Sequence, residues 1–247
     1  MLPRFLAPDV DTAGTRVALT VEEADHLVRV LRLRVGARVR LFNGRGGEFE
    51  GTVEFAQRGR VHVTVEESCV PTPEAHVRLT LAQAVLKGDK MDEVVRNAVM
   101  LGAAAIQPVL SARCEASAAA LTRGQRRERW ERIAVSAAKQ SGRALVPPIY
   151  EPCRFDELLL QIGARVEVPA PAIMLVEPGA VVSQERGCGP AAQAATLLVG
   201  PEGGWATEEI LQARGRCRVA TFGGRTLRAD AAGLIAMTAV LALWDGF

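Results

Sequence analysis

The chain has 247 residues, 49% of them hydrophobic, which is enough for one large domain or two small ones with a sizeable core. Its formal net charge of +2 is too small to indicate a nucleic-acid partner by itself. Five scattered cysteines form no CxxC pair, so we expect free thiols in the cytoplasm rather than a zinc or disulfide framework. We expect no signal peptide and no membrane span, because the longest apolar run, residues 231–244, is too short to cross a bilayer.

The first part of the chain is predicted to be rich in β-strands. Polar and apolar residues alternate over 38–42, 51–55 and 60–66, which is typical of half-buried strands, and the sequence NGRGG between the first two predicts a hairpin loop. A short helix is expected over residues 21–31. Several short strands favour a small barrel. Pro71-Thr72-Pro73 interrupts the strand pattern, so we place a domain boundary between residues 72 and 73.

The second part alternates strands with helices, which predicts an α/β fold with a mostly parallel sheet covered on both faces. The predicted strands are residues 76–85, 105–110, 173–177, 194–199 and 219–221. The predicted helices begin near Asp89, Gly124, Phe155, Thr207 and Ala229, and Asp89 and Thr207 are expected to be N-caps. The last helix, residues 229–244, is apolar nearly all round, so a partner subunit is a natural cover for it.

Two glycine-bearing loops follow predicted strands near the end of the chain. The strand 194–199 stops at Gly-Pro-Glu-Gly-Gly, where the backbone can turn tightly and a ligand can approach closely. The strand 219–221 is followed by FGGRTLRAD, which leads into the last helix. The first loop has no lysine and carries Glu202, which favours a ligand with little negative charge over a polyphosphate. An ordinary tight turn is the alternative interpretation of the first loop.

Basic residues are concentrated in two segments. Residues 29–45 hold six arginines and no acid, and residues 123–143 hold seven basic residues against Glu128 and Glu131. Two such segments suit an RNA phosphate backbone. A solvated face in an arginine-rich protein is the alternative, since the chain has only three lysines.

These motifs together resemble the RsmE family of ribosomal RNA uridine N3-methyltransferases, which belong to the SPOUT class. The resemblance rests on LLVGPEGGWATEEI, FGGRTLRADAA, Pro3-Arg4-Phe5, HLVRVLR at residues 26–32, KGDKMD at residues 87–92 and QSGR at residues 140–143. It implies a PUA-like β-barrel that binds RNA over residues 1–72. It also implies a SPOUT α/β methyltransferase domain with a C-terminal trefoil knot over residues 73–247.

The resemblance also implies the site residues. S-adenosylmethionine is expected at Leu175, Glu177, Val199, Gly200, Pro201, Glu202, Gly203, Phe222, Gly223, Thr226, Leu227 and Arg228. Catalytic roles are expected for Arg228, Arg4 and Asp230. RNA binding is expected at Arg4, Arg29, Arg32, Arg34, Arg45, Lys87, Lys90, Arg126 and Arg143. The expected partners are ribosomal RNA, within a small-subunit particle, and a second copy of the chain.

Methylation at nitrogen-3 of uracil needs a donor for the developing charge on the ring oxygens and an acceptor for the imino proton. Arg228 can donate but not accept, which suits the first task or a phosphate contact. Asp230 is the nearest acceptor and Glu202 the second, although Asp230 could instead be a helix N-cap and water could take the proton. The family usually has Glu-Thr-Ala where this chain has Asp230-Ala231-Ala232, and an acid where it has Met100.

No metal site is expected, because His26, His62 and His76 are dispersed and have no neighbour at metal-ligand spacing. Three other functions stay open from the residues. One is a non-catalytic RNA-binding protein, and another is a SPOUT methyltransferase that acts on a different RNA position. The third, a phosphate-binding α/β enzyme, is disfavoured by Glu202 and by the missing lysine.

Overall fold

A computed structural model describes residues 2–115, 121, 125–164, 170–180 and 185–246 of the chain. Its internal contacts divide the chain into two compact units. The first unit is Met1–Glu74 with Val135–Val146, and the second is Ala75–Ala134 with Pro147–Phe247. The predicted division into residues 1–72 and 73–247 stays a prediction, and these units differ from it by taking residues 135–146 into the first unit.

The first unit is built around a five-stranded mixed sheet. Its strands are β1 (Arg4–Leu6), β2 (Arg16–Ala18), β3 (Arg38–Phe42), β4 (Glu48–Gln57) and β5 (Arg60–Cys69). They lie in the order β1-β3-β4-β5-β2, and β1 runs parallel to β3 while the other pairs are antiparallel. The β-rich character and the three alternating strands are confirmed. The edge strands β1 and β2 were not predicted, because three residues are too few to show an alternating pattern.

The predicted hairpin loop between β3 and β4 is present and is held by one side chain. Asn43 Oδ1 accepts hydrogen bonds from the amides of Arg45 (2.8 Å) and Gly47 (2.9 Å). Gly44 and Gly46 have φ values of +76° and +105°, which glycine adopts without strain. The sequence NGRGG therefore supplies both the turn conformation and its cap.

The predicted helix over residues 21–31 consists of two different segments. A short α-helix, α1 (Val21–Asp25), is capped by Thr20 Oγ1, and a π-helical turn follows over His26–Val30. The π-turn is closed by the Leu31 amide, which donates to the His26 carbonyl at 3.0 Å. Arg32, two residues after the π-turn, has a φ of +53°, which is left-handed and unusual for a residue with a side chain.

The second unit contains a seven-stranded parallel sheet. Its strands are β6 (Arg78–Ala84), β7 (Ala105–Leu110), β8 (Cys153–Arg154), β9 (Ala172–Leu175), β10 (Glu185–Arg186), β11 (Ala194–Val199) and β12 (Arg218–Thr221). They lie in the order β10-β12-β9-β11-β6-β7-β8. Every strand pair in this sheet is parallel, as predicted from the alternation of strands and helices.

Helices cover both faces of this sheet, which confirms the predicted α/β fold. They are α2 (Lys90–Met100), α3 (Arg126–Ser141), α4 (Phe155–Ala164), α5 (Thr207–Ala213) and α6 (Ala229–Leu243), and α3 passes into the first unit at Val135. On one face, residues of α4 and α5 such as Leu158 and Ile210 share a core with Leu198 of β11. On the other face, Gly233 of α6 lies against Leu81 of β6 and Val199 of β11.

Several local predictions need correction. Thr207 is the first residue of α5 and not its cap; Glu209 Oε2 instead accepts from the amide of the preceding residue, Ala206, at 2.9 Å. Asp89 is the N-cap residue of α2, as predicted, but its side chain makes no capping hydrogen bond. Met100, where the family usually has an acid, ends α2 with 47% of its surface exposed. Gly124, where α3 was expected to begin, and Arg123 lie outside the described residues.

The left-handed conformation at Arg32 generates a stability prediction. Arg32→Gly should raise the free energy of unfolding by up to about 1 kcal/mol, because glycine removes the left-handed penalty but adds chain entropy. Urea unfolding measures the change. Arg34→Gly is the matched control, since Arg34 is outside the left-handed region and glycine there should destabilise the protein. Equal destabilisation by both changes would contradict strain at Arg32.

Candidate functional site

The two glycine loops meet at the carboxyl end of the parallel sheet and enclose a cavity of about 360 Å³. The cavity lies where β9, β11 and β12 end, which is the usual place for a ligand in an α/β sheet. Its lining residues are Lys90, Leu175, Val176, Glu177, Pro178, Val199, Gly200, Pro201, Glu202, Gly204, Trp205, Thr221, Phe222, Arg225, Thr226, Leu227, Arg228, Ala229, Asp230 and Ala232.

The cavity contains every predicted cofactor residue except two glycines. Gly203 is exposed, and its carbonyl accepts a hydrogen bond from Arg113 Nη1 at 2.7 Å. Gly223 is also exposed and has a φ of +87°, so it shapes the second loop from outside the cavity. Arg228 and Asp230, predicted to be catalytic, line the same cavity. The sequence motifs predicted both loops but could not show which glycines of each loop line the cavity.

Gly204 is a lining residue that the sequence analysis missed. It has a φ of +66°, and a Cβ atom built on it would overlap the carboxylate of Glu177, with Oε2 at 2.9 Å. Only glycine therefore fits between this backbone and the Glu177 side chain. The second glycine of a Gly-Gly pair is a common left-handed position, and this was the signal available in the sequence.

Trp205 ties the first loop to the sheet and was also missed. Its indole Nε1 donates to the Leu175 carbonyl of β9 at 3.0 Å. A Cβ on Gly200 would lie 3.2 Å from the same nitrogen, so the indole packs directly on the loop backbone. Trp205 is buried, and its ring lies 5.1 Å from that of Phe155. The buried Trp205 side chain, which directly follows the first glycine loop, therefore anchors that loop to β9.

Glu202 is fixed by the start of α2. Its Oε1 accepts from Lys90 Nζ at 2.8 Å and from the Lys87 amide at 3.3 Å. Partial burial acts to raise the pKa of Glu202, but the hydrogen bonds from Lys90 and from backbone amides outweigh it, and the pKa lies below its usual value. Glu202 is therefore a carboxylate with its partners in place, which makes it a poor proton acceptor.

Arg228 and Asp230 form an ion pair at the start of α6. Arg228 Nε donates to Asp230 Oδ1 at 3.1 Å and Nη2 donates to Oδ2 at 2.8 Å. The Arg228 side chain is 76% exposed, while that of Asp230 is 24% exposed. Asp230 lies in the first turn of α6 and Arg228 is the N-cap residue, so the alternative of an Asp230 N-cap is wrong. The pair places a cation and an acceptor side by side in the cavity lining.

Arg4, predicted to be catalytic and to bind RNA, is instead buried within the first unit. Its Nε donates to Glu48 Oε1 at 2.9 Å. Nη1 donates to the carbonyls of Ala138 (2.9 Å) and Lys139 (3.1 Å), and Nη2 donates to that of Arg143 (3.0 Å). These carbonyls end or follow α3, where helix carbonyls have no partner of their own. Arg4 therefore serves as a structural residue that caps the helix end.

Arg143 likewise differs from its predicted role. It is buried, and its Nε donates to Glu74 Oε1 and Oε2 at 3.1 and 3.0 Å. The Arg143 guanidinium is thus already paired with Glu74, and its contact with RNA stays a prediction. Sequence could not separate Arg4 and Arg143 from surface arginines, because the separating feature is burial.

The other predicted RNA residues keep at least part of their side chains at the surface. Arg32 and Arg34 are exposed and have no ion-pair partner among residues that the structure describes. Arg45 is exposed and pairs with Asp11 at 2.6 Å, and Arg29 lies 3.6 Å from Asp25. Lys87 pairs with Glu115, and Arg126, which is half-buried, donates to the Gly88 carbonyl at 3.3 Å.

Within the described ranges, no group of three or more His, Cys, Asp or Glu side chains is placed to hold a metal ion. No helix in that same part of the chain is long and apolar enough to cross a membrane. The five cysteines, all of which are described, are free thiols, and burial raises the pKa of Cys153 and Cys217 to about 11.

Comparison with known families and structures agrees with this geometry. Residues 73–241 match the family model of an RNA methyltransferase domain, and residues 19–66 match that of an RNA methyltransferase PUA domain. The first match covers the parallel sheet, both glycine loops and most of α6. The second covers the strands β3 and β4, the π-turn and most of β5.

Individual proteins match over nearly the whole chain. The ribosomal RNA small subunit methyltransferase E of Mycobacterium bovis is 32% identical over 96% of this chain and 92% of its own length. The protein of the same name from Synechocystis is 31% identical over 97% of this chain and 77% of its own length. A crystal structure of this methyltransferase from Neisseria gonorrhoeae, bound to S-adenosyl methionine, has a TM-score of 0.87, 31% identity and coverage of 99% and 98%.

Two kinds of evidence agree. The cavity between the two glycine loops lies in the part of the chain that matches an RNA methyltransferase domain, and a PUA domain match precedes it. Relatives more than 30% identical match over nearly the whole chain. The chain therefore belongs to the ribosomal RNA small subunit methyltransferase E family.

Proposed function

We propose that the protein methylates nitrogen-3 of a uridine in small-subunit ribosomal RNA, with S-adenosylmethionine as the methyl donor. The observation that carries the proposal is the cavity at the carboxyl ends of β9, β11 and β12, which is lined by both glycine loops. It is supported by the whole-chain similarity to a methyltransferase crystallised with S-adenosyl methionine.

The residues present fit this cofactor. Gly204 packs directly against the Glu177 carboxylate, where any Cβ would overlap it, so the absence of a side chain keeps this acceptor beside the loop backbone in the cavity lining. Leu175, Val199 and Phe222 supply apolar walls, while Glu177 supplies an acceptor. A polyphosphate would meet Glu202, which is charged and held in place. When bound, S-adenosylmethionine supplies an electrophilic methyl group on a sulfonium centre.

Methylation of the uracil needs a group that stabilises negative charge and a group that accepts a proton. Loss of the imino proton spreads negative charge over the two ring oxygens, and a guanidinium can stabilise that charge. Arg228 is an exposed cation of the second loop and is oriented by its two hydrogen bonds to Asp230. We assign Arg228 to the uracil oxygens and Asp230 to holding it. The proton then passes to water, since Asp230 and Glu202 each already accept two hydrogen bonds.

A homodimer is part of the proposal. The outward surface of α6 carries Ile235 and Leu243, which are 43% and 68% exposed, and Met100 of the adjacent α2 is also exposed. Exposed apolar side chains on neighbouring helices are typical of an interface. A second copy of the chain would cover them, and it would bring another subunit close to Arg228, the residue that precedes α6.

A trefoil knot at the C-terminus is also proposed. The strand β12 pairs with β9, yet the helix that follows β12 returns to pack on β11 and β6 through Gly233. The chain after β12 therefore returns past β9 to reach α6, a path that is compatible with a knot. Such threading is rare enough that only the family resemblance makes it the preferred topology.

The proposed reaction predicts the methylated product and the loss of turnover when Arg228 is replaced. Purified protein incubated with S-adenosylmethionine and unmethylated small subunits should form N3-methyluridine, as measured by mass spectrometry of the digested RNA. Arg228→Ala should slow turnover about a hundredfold, the effect typical of losing one charge-stabilising donor. Arg214→Ala, an exposed arginine outside the cavity, is the control. Methylation at another base position, or RNA binding without methylation, would favour the alternative functions.

The fit of the cofactor predicts a contrast between neighbouring glycines. Gly204→Ala should weaken S-adenosylmethionine binding at least about tenfold, because the added methyl displaces Glu177 and strains the left-handed backbone. Gly203→Ala should bind normally, since its Cβ would meet only Arg113 at an ordinary 3.6 Å. Calorimetry on folded proteins measures both. Equal affinities in the two variants would place the cofactor elsewhere.

The exposed arginines predict a change in salt dependence. Removing one arginine that binds a phosphate should reduce the slope of log affinity against log salt by about 0.7 for single-stranded RNA and about 0.9 for a duplex. Replacing Arg32 and Arg34 with alanine should therefore flatten the slope and leave cofactor affinity unchanged. Arg16→Ala, an exposed arginine paired with Glu54, is the matched control. A slope equal to that of the unmodified protein would assign these arginines to a solvated face.

A further inference from the structure

The seven-stranded sheet contains a buried amide directly behind the first glycine loop. Gln83 is fully buried in β6, among Leu81, Ala82, Ala84 and Val85, which are also buried. In register it lies opposite Val199, the last residue of β11 before the loop. A polar side chain in such a position destabilises the fold unless its hydrogen bonds are complete.

The hydrogen bonds of Gln83 are directed to the loop. Its Nε2 lies 3.3 Å from the Gly200 carbonyl, 3.5 Å from that of Val199 and 3.2 Å from that of Ala84. Val199 and Gly200 line the cofactor cavity, whereas Gln83 itself does not. The ladder between β6 and β11 ends at this pair, so beyond it a side chain takes over the contact with the loop backbone.

The oxygen end of the amide has no hydrogen-bond partner in the part of the chain that the structure describes. Gln83 Oε1 is buried and makes no hydrogen bond to any described residue. It lies 3.2 Å from where a Cβ of Gly233 would be, so a glycine inside α6 makes room for it. A glycine within a helix and an unsatisfied buried oxygen are both unfavourable for stability. A leucine at position 83 would avoid the second penalty.

We propose that Gln83 is a positioning residue that orients the Gly200 carbonyl and the first glycine loop for S-adenosylmethionine, and that it does so although it weakens the fold. The inference rests on the proposed function for the identity of the cofactor. It assigns no contact between Gln83 and the cofactor, because the residue acts through the backbone of Val199 and Gly200. Local choices that oppose stability are expected at functional positions.

The test replaces the amide with side chains of similar volume that cannot donate. Gln83→Leu and Gln83→Met should bind S-adenosylmethionine about tenfold more weakly, the factor expected when one hydrogen bond is removed. The urea midpoint of both variants should stay equal to that of the unmodified protein or rise. In steady-state assays, KM for S-adenosylmethionine should rise while KM for RNA and kcat stay nearly unchanged.

Gln107→Leu is the matched control. Gln107 is a buried glutamine of the adjacent strand β7, and its Nε2 donates to the carbonyls of Pro108 (2.9 Å) and Glu151 (2.7 Å), away from the cavity. This variant should lose stability and keep its cofactor affinity.

Unchanged cofactor affinity in both Gln83 variants would overturn the proposal, and so would an equal loss of affinity in Gln107→Leu. If Gln83→Leu fails to fold, Gln83→Met carries the test, and a lower urea midpoint in every folded Gln83 variant would make the residue merely structural. These results differ from failure of the proposed function, in which the unmodified protein itself would not bind S-adenosylmethionine.

Discussion

The site depends on the register of three parallel strands. Leu175, the last residue of β9, lies opposite Val199 of β11 on one side and Ala220 of β12 on the other. The two flanking strands therefore end at nearly the same height, and the loops that follow them face each other across β9. A slip of one residue would turn the side chains of a whole strand to the other face of the sheet. The Trp205 indole donates a hydrogen bond to the Leu175 carbonyl and so holds the first glycine loop at the end of β9.

Much of this arrangement could be predicted from sequence because it follows from short-range patterns. Apolar runs that end in glycine identified β11 and β12, and alternation of strand and helix predicted that their ends share one edge of a sheet. What could not be predicted depends on contacts between distant residues. Gly204 differs from Gly203 in its left-handed backbone and in its contact with the Glu177 carboxylate, which is far away in sequence. The π-turn at His26–Val30 and the three-residue edge strands likewise leave no periodic pattern to detect.

The roles of the basic residues likewise could not be predicted from sequence, because they depend on burial. Composition treats all arginines alike, yet the structure separates them by burial. Arg4 and Arg143 lie inside the first unit with carboxylate and carbonyl partners, so their charges stabilise the end of α3 and its surroundings. Arg32 and Arg34 remain exposed. Because a buried guanidinium is already desolvated and paired, only the exposed group can contribute to the salt-dependent attraction of RNA.

Four of the charged residues that line the cavity form two ion pairs, and Glu177 and Arg225 also line it. Lys90 holds Glu202, and Arg228 holds Asp230, so a cation and an acid in each loop region neutralise each other. A site built to bind a polyphosphate would instead leave its cations and amide groups directed at the ligand. Here the Lys87 amide at the start of α2 is already occupied by Glu202. The paired charges leave a lining of backbone and apolar groups for the ligand body, and they leave Arg228 held at a fixed position where negative charge develops in the proposed reaction.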